Sequence, residues 1–550
     1  MRRLLRVLCM IGALSAIGYG LSAGSEWSDR RWLQALAVAG LLLIIAWWPA
    51  GTRYFSTFNR STMRLATILL VVFALISVQL VRVQIVQSSR TLDRQQIGPG
   101  GQVVQNPRNR LEEHPELRGS ILDRNGVVLA EQIGDGEDTY RSYPQPAVYG
   151  LTGYYSPALY GASGLEASYD AELAGRKDPN PVVDWLDDVL NRDRSGYDLN
   201  LTVDLELQQL ADDLLGDQDG AVVLMDAGTG ASLSLASSPG YDPNRLYTDN
   251  ESTEEQLAEA GAYWREIIAR DDAPLVFRPA EGLYVPGSTF KMLTASAVLN
   301  SGMSTTETMY RDEGALEVDG RVIIELNRPD ESRVDWTLEE SFAYSLNVVF
   351  ARIGLELGAE LLQEYADRFG FGEAPPAGVI TVPSRLTSGE TELSDSRTLV
   401  ADTAFGQGEL LVTPLQMALL GAAIANDGEI MEPYLVDSMV DADGEVVEQA
   451  SPSVWKKPIN EQTAEAMQEL MLASATYGYA SGAQIEGLTV GGKTGTAEVG
   501  GGAAPHSWFV GYGSDGERTL VTAVIVENGG PGSVAALPIG REMLAAAFAP

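Results

Sequence analysis

The 550-residue chain contains one cysteine, Cys9, and two histidines, His114 and His506. A single thiol inside an apolar run excludes an intrachain disulfide, a cysteine-based zinc site and thiol catalysis. Two histidines exclude a histidine-rich metal centre, and no metal or cofactor is expected. Lysine is almost as scarce, with five copies: Lys177, Lys291, Lys456, Lys457 and Lys493. Positive charge as a whole is outnumbered, 38 Lys and Arg against 75 Asp and Glu, for a net charge of −37. The imbalance is uneven. Up to Arg90 ten arginines face only Glu26 and Asp29, whereas the remainder holds 28 basic and 73 acidic residues. So acidic a surface argues against nucleic acid and against docking on anionic lipid. With 45% apolar and 21% charged residues the chain is globular, and its length suits about three or four domain-sized units.

Long hydrophobic runs are confined to the start. They cover about Leu4 to Ala23, Trp32 to Ala50 and Leu65 to Val81, each close to the length that crosses a bilayer as a helix. The expectation is a membrane region over 1–87 with about three transmembrane helices. Arg2, Arg3 and Arg6, with Arg53, Arg60 and Arg64 in the second loop, read as cytoplasmic, which puts everything after Arg82 outside the cytoplasm. The first run also reads as a cleavable signal peptide, with Ser22-Ala23-Gly24 as a processing region, and its removal would leave that placement unchanged.

Residues 88–110 turn to Gln, Gly, Pro, Asn and Arg and read as a linker. A small domain over 111–195 follows. In it Asn125-Gly126, between apolar runs, predicts a hairpin. Asp198–Asp204 alternates like a strand, Leu205–Leu215 reads as a helix, and Gly220–Asp226 with Ala231–Ala236 reads as a second hairpin. Helices and strands then alternate without a linker, so 196–550 is expected to be one large α+β domain.

Three short stretches in that domain carry chemistry. In Tyr284-Val285-Pro286-Gly287-Ser288-Thr289-Phe290-Lys291, a Pro-Gly breaker precedes a helical run, which places Ser288 at a helix start with Lys291 one turn on. An amine can take the serine's proton if burial, the helix N-terminus or a second cation keeps it neutral. S-x-x-K alone is common by chance. Ser345-Leu346-Asn347 lies in an apolar helical run, where two polar residues sit awkwardly unless they face a polar site. Lys493-Thr494-Gly495-Thr496 suits an edge strand open to an extended substrate. Two of the five lysines fall in these motifs, and an arginine could not release its proton there.

S-x-x-K, S-x-N and K-T-G in this order resemble the penicillin-recognising serine acyltransferases, most closely the class B (monofunctional) penicillin-binding proteins, the peptidoglycan D,D-transpeptidases. The resemblance covers most of the chain after the linker. Arg118–Ala130 and Tyr160–Glu166 are similar to that family's N-terminal pedestal. Ala404-Phe405-Gly406-Gln407-Gly408, Thr413–Ala418 and His506–Gly511 fit it as well. The implied fold is a penicillin-binding, β-lactamase-like domain, an antiparallel sheet flanked by helices, on an elongated β-rich pedestal with N-terminal transmembrane helices.

The resemblance implies roles. Ser288 is the nucleophile towards D-Ala-D-Ala, and Lys291 its base, with Lys493 and Asn347 keeping that amine neutral. Ser345 relays the proton. Backbone N–H groups of Ser288 and Thr496 form the oxyanion hole, and Lys493, Thr494, Gly495 and Thr496 bind substrate. Partners would be peptidoglycan stem peptides, β-lactams as inhibitors, the membrane and a glycan polymerase of the SEDS type. His506 is expected in a loop near the cleft. Alternatives are a β-lactamase-like acyl hydrolase, against which no E-x-x-L-N occurs, and a membrane β-lactam sensor, against which no H-E-x-x-H occurs. A catalytically dead scaffold is disfavoured by the intact motifs, and a bifunctional enzyme by lack of room for a glycosyltransferase. The family's usual single anchor contrasts with the three runs here.

Overall fold

The structure is a computed structural model that describes residues 2–22, 29–48, 56–82, 96–97, 103–104, 118–134, 139–176, 195–249 and 252–549. Most of the expected linker 88–110, the processing region after Ser22, Arg53 and His114 lie outside the described residues. The chain divides into two units, Met1–Glu113 and His114–Pro550.

The first unit contains helices α1 (Arg2–Ser22), α2 (Asp29–Trp47) and α3 (Thr57–Val81). Small residues let them approach: Ala13, Ala39, Leu43 and Val71 form one buried cluster, and Gly40 lies against Leu75. Trp32 Nε1 donates to Gln79 Oε1 at 2.5 Å, and the Arg82 guanidinium lies 4.9 Å from the Trp32 ring. Most other apolar side chains face outward. Phe73, for example, is 69% exposed, a surface that suits lipid better than water. By length and composition Arg30–Trp47 and Thr57–Leu80 can cross a membrane, which marks a membrane protein. In α1 the apolar part of the described helix is Leu4–Tyr19.

The second unit opens with β1 (Ile121–Leu122) and β2 (Val128–Ile133), the hairpin expected at Asn125-Gly126. Gly126 supplies the positive φ of +79°, and the Asp123 carboxylate accepts from the N–H groups of Asn125 and Val127 at 2.8 Å. Strand β3 (Tyr140–Ser142) follows, then β4 (Asp198–Leu201), which runs parallel to β1. Helix α4 (Leu205–Leu215) is N-capped by Asp204, and β5 (Gly220–Asp226) pairs with β6 (Ser232–Ser238).

Beyond these come α5 (Lys291–Asn300), the β7 (Ala315–Val318) and β8 (Arg321–Ile324) hairpin, α6 (Leu338–Ala343), α7 (Asn347–Arg368), α8 (Arg397–Ala404) and α9 (Pro414–Ala425). The chain ends with β9 (Val436–Val440), β10 (Val446–Gln449), α10 (Glu461–Thr476), β11 (Thr489–Ala497), β12 (His506–Ser514), β13 (Thr519–Val526) and α11 (Ala536–Ala547).

Two sheets organise this unit. The five-stranded one has the order β6-β5-β13-β12-β11 and is antiparallel throughout. Its central strands are apolar on both faces because both are covered. Ala221, Val223 and Met225 of β5 join the larger core with α9, while Val222 and Leu224 join a second core with α4 and α11. The other sheet, six-stranded, has the order β10-β9-β4-β1-β2-β3. It unites strands from before residue 196 with β4, β9 and β10 from after it.

A buried ionic cluster ties the segment around β1 to β3 together. Arg118 donates through Nε and Nη2 to Glu166 Oε2 at 2.9 and 2.6 Å and through Nη1 to Asp170 Oδ1 at 2.9 Å. Arg141 Nε donates to Glu166 Oε1 at 2.6 Å. Burial pushes the Glu166 carboxyl up, yet Arg141 and Arg118 outweigh it and hold that carboxyl below its ordinary range.

Candidate active site

Ser288 lies in a 3-10 turn, Gly287–Phe290, that runs directly into α5. Close backbone approach fixes the turn. A Cβ on Gly406 would lie 1.7 Å from the Gly287 carbonyl oxygen, and one on Gly287 (φ +55°) would lie 2.8 Å from the Thr496 carbonyl oxygen. The turn is thus held between the Ala404–Gly408 stretch and β11, and only glycine fits at these contacts. Gly495 meets the turn from the other side, since a Cβ there would lie 2.8 Å from Pro286 O. As expected, β11 is the edge strand of its sheet, so Thr496 remains exposed.

Behind the turn sit two fully buried amines. Lys291 Nζ donates to Ser345 O at 2.7 Å, to Ser345 Oγ at 3.1 Å and to Asn347 Oδ1 at 2.7 Å. Lys493 Nζ reaches the same Ser345 Oγ at 2.9 Å and Thr494 O at 3.1 Å. The phenyl rings of Phe350 and Phe342 face the two amines at 5.4 and 5.6 Å. Burial pushes Lys291 down to about 7, with the Glu325 carboxylate pulling it back up. Burial also drives Lys493 well below its ordinary value, and the charge of Lys291 adds to that. The Ser288 hydroxyl is hydrogen-bonded to no described residue and is half-buried at the cleft. Such looseness is common before substrate aligns the groups.

All the motif residues named from sequence therefore converge, with three differences. Ser345 is not in a helix: it occupies the left-handed region at φ +58°, in the turn between α6 and α7, and Asn347 begins α7. A serine stays there only because neighbours over-determine it, here Lys291 and Asn327 on its carbonyl and both lysines on its hydroxyl. Asn347 does not act as expected on the amine. Its Oδ1 accepts from Nζ, which favours the ammonium form, so burial is what lowers Lys291. His506 is the first residue of β12 rather than a loop residue, because it pairs with Ala497 across the sheet. Its Nδ1 accepts from Asn528 N–H at 3.0 Å.

Sequence reasoning passed over Glu325 and Asn327. Asn327 Nδ2 donates to Ser345 O at 2.9 Å, and Glu325 Oε2 accepts from the Val348 N–H, at the start of α7, at 2.9 Å. The one available signal was an acid at an inward register of the apolar strand Val322-Ile323-Ile324-Glu325. Among the described residues no group of three or more His, Cys, Asp or Glu is placed to hold a metal.

Residues 220–545 match the penicillin binding protein transpeptidase domain, and residues 118–199 the penicillin binding protein A dimerisation domain. The peptidoglycan D,D-transpeptidase PbpA of Mycolicibacterium smegmatis is 32% identical over 463 residues, covering 80% of this chain and 92% of the relative. The solved D,D-transpeptidase domain of a peptidoglycan glycosyltransferase from Eggerthella lenta is similar at a TM-score of 0.68 and 32% identity, over 78% of this chain and 98% of that one. Penicillin-binding protein A from M. tuberculosis, as its penicillin G acyl-enzyme complex, is similar at 0.70 and 29% identity, over 79% and 100%. Fold and matches together define a serine-type, penicillin-recognising enzyme. The chain belongs to the penicillin-binding protein transpeptidases and is a peptidoglycan D,D-transpeptidase.

Proposed function

We propose that Ser288 attacks the carbonyl of the penultimate D-Ala of a stem peptide, forming an acyl ester and releasing the terminal D-Ala. The observation that carries this assignment is the Ser345 hydroxyl shared by two buried amines behind the Ser288 turn. Lys291, poised near neutrality, accepts the serine proton. Ser345 then gives its hydroxyl proton to the leaving nitrogen and takes one in turn from the ammonium that Lys291 has become, so the serine proton ends on the released D-Ala amine. Backbone N–H groups of Ser288 and Thr496 stabilise the oxyanion, single donors of this kind being worth ~3–4 kcal/mol. Lys493, Thr494, Gly495 and Thr496 hold the substrate's terminal carboxylate along the open edge of β11. An amine from a neighbouring strand then attacks the ester, gives up its proton and regenerates Ser288. A β-lactam enters as a mimic of D-Ala-D-Ala and stays on Ser288.

The arginines flanking α1 and α3 favour a cytoplasmic N-terminus and an extracytoplasmic catalytic unit. On this reading residues 88–110 are a linker and 111–195 a pedestal domain. A SEDS-type glycan polymerase is the partner, contacted by the N-terminal helices. Unchanged co-purification after deletion or scrambling of Met1–Arg60 would remove those helices from that contact.

The test is intact mass of the full chain in detergent after penicillin, beside Ser288→Ala. A persistent stoichiometric adduct, absent in the variant, is expected. An adduct that clears in seconds would make the protein a β-lactamase-like hydrolase, and none at all in folded protein would leave only a scaffold.

A further inference from the structure

The catalytic motifs leave one side of the buried amines unaccounted for. It is filled by residues 325–327, which continue β8 past its hairpin with β7. Glu325 is 7% exposed, and its carboxylate accepts three backbone hydrogen bonds: Oε1 from the N–H groups of Leu326 and Asn327 at 3.0 Å each, and Oε2 from Val348 N–H at 2.9 Å. The last of these is an otherwise unpaired N–H at the start of α7, the helix that carries Asn347. Two residues on, Asn327 Nδ2 donates to the carbonyl of the left-handed Ser345 at 2.9 Å, the same oxygen that Lys291 uses. The Tyr479 hydroxyl, from the segment after α10, donates to Asn327 O at 3.1 Å and closes the outer side.

We propose that Glu325 and Asn327 are positioning residues for transpeptidation, acting through Lys291 and Ser345: Glu325 seats the start of α7 and supplies a negative charge that acts on the buried Lys291 amine, and Asn327 holds Ser345 in its strained turn. This rests on the roles given above to Ser288, Lys291 and Ser345. Without an acid, two ammonium groups sharing one hydroxyl would leave buried positive charge unbalanced. With it, one lysine can be protonated while the other is neutral, which is the state a base needs before acylation. The groups that face Glu325 are Lys291 of α5, Asp312 on the segment before β7, and Tyr479. Lys493 of β11 acts on it through Lys291. Asp312 has its own cation nearby, Arg328 at 4.0 Å, so Glu325 is the acid left to answer the lysines.

The sign follows from the charges. Removing the Glu325 charge removes the pull that raises Lys291, so the amine becomes neutral at lower pH. The experiment is the rate of Ser288 acylation by a fluorescent penicillin, followed against pH with the full chain in detergent. In Glu325→Gln the acidic limb of the profile is expected about one pH unit lower. Glu325→Asp restores the limb to its native position whatever it does to the rate, an outcome that mere packing would not give. Asn327→Ala is expected to lower the plateau about tenfold and leave the limb in place, and it decides the matter if Glu325→Gln fails to fold. A Glu325→Gln limb at the native pH, or an Asn327→Ala plateau within about twofold of native, would overturn the proposal. Failure of the native chain itself to acylate at Ser288 would instead sink the assignment of the site.

Discussion

The second unit buries two charged clusters built on opposite plans. Around Arg118 and Glu166, guanidinium and carboxylate groups meet at 2.6–2.9 Å, and each drives the other towards its charged form. Around Ser345, two ammonium-type groups converge on one hydroxyl, with the Glu325 charge acting on Lys291, and burial drives both towards neutrality. The first arrangement has no proton to give near neutral pH and can only hold backbone in place. The second is unstable with respect to its own charges and is therefore able to move a proton. Buried charge by itself indicates neither stability nor catalysis. What decides is whether the partners cancel.

The largest expected effects break the second cluster. Lys291→Met should slow acylation by penicillin about a hundred- to ten-thousand-fold, as loss of a general base does. The same change should raise the thermal midpoint, since it removes a cation that burial disfavours, and one acylation assay with one melting curve reads both. Next comes the first cluster. Arg118→Ala leaves Glu166 with Arg141 and Asp170 with Arg176 as their remaining cations, and should cost about 3–5 kcal/mol in denaturant unfolding. Any acylation lost with it should return wherever the protein is folded.

Smaller effects sharpen the contrast. Lys291 has a folded value of about 7 against an ordinary 10.5, so between those pH values the unfolded chain binds more protons and stability rises with pH. Lys291→Met should flatten that slope. Glu166 has the same sign in a lower window: its contribution is present above its ordinary 4.5 and is lost as pH falls through its lowered folded value, so stability rises with pH there as well. Unfolding free energies measured across both windows check the two signs together. Gly126→Ala, at a turn remote from both clusters, should cost about 1–2 kcal/mol through its positive φ and leave the acylation rate untouched.

Much of this was legible in the sequence because it is written locally. The Asn125-Gly126 hairpin, the β5–β6 hairpin and the helix after Asp204 follow from turn chemistry and apolar period, and the three motifs from residue type and order. The edge position of Lys493–Thr496 was legible as well. What escaped depends on distant chain segments. β4 pairs with β9, more than 200 residues away, so the six-stranded sheet has no local signature. Ser345 sits in a helical pattern, and its left-handed turn is imposed by Lys291, Asn327 and Lys493 from three other elements. Glu325 looks like any acid at the end of a hairpin until α7 and the amines are folded around it.

The central claim, a buried amine held near neutrality beside Ser345, can be observed directly because the chain has only five lysines. The measurement is an NMR titration of the full chain in detergent with the lysine side chains isotopically labelled, read against Lys291→Met for assignment. The account predicts one lysine that titrates near pH 7 and is lost in the variant. Five lysines all titrating near 10.4 would contradict it.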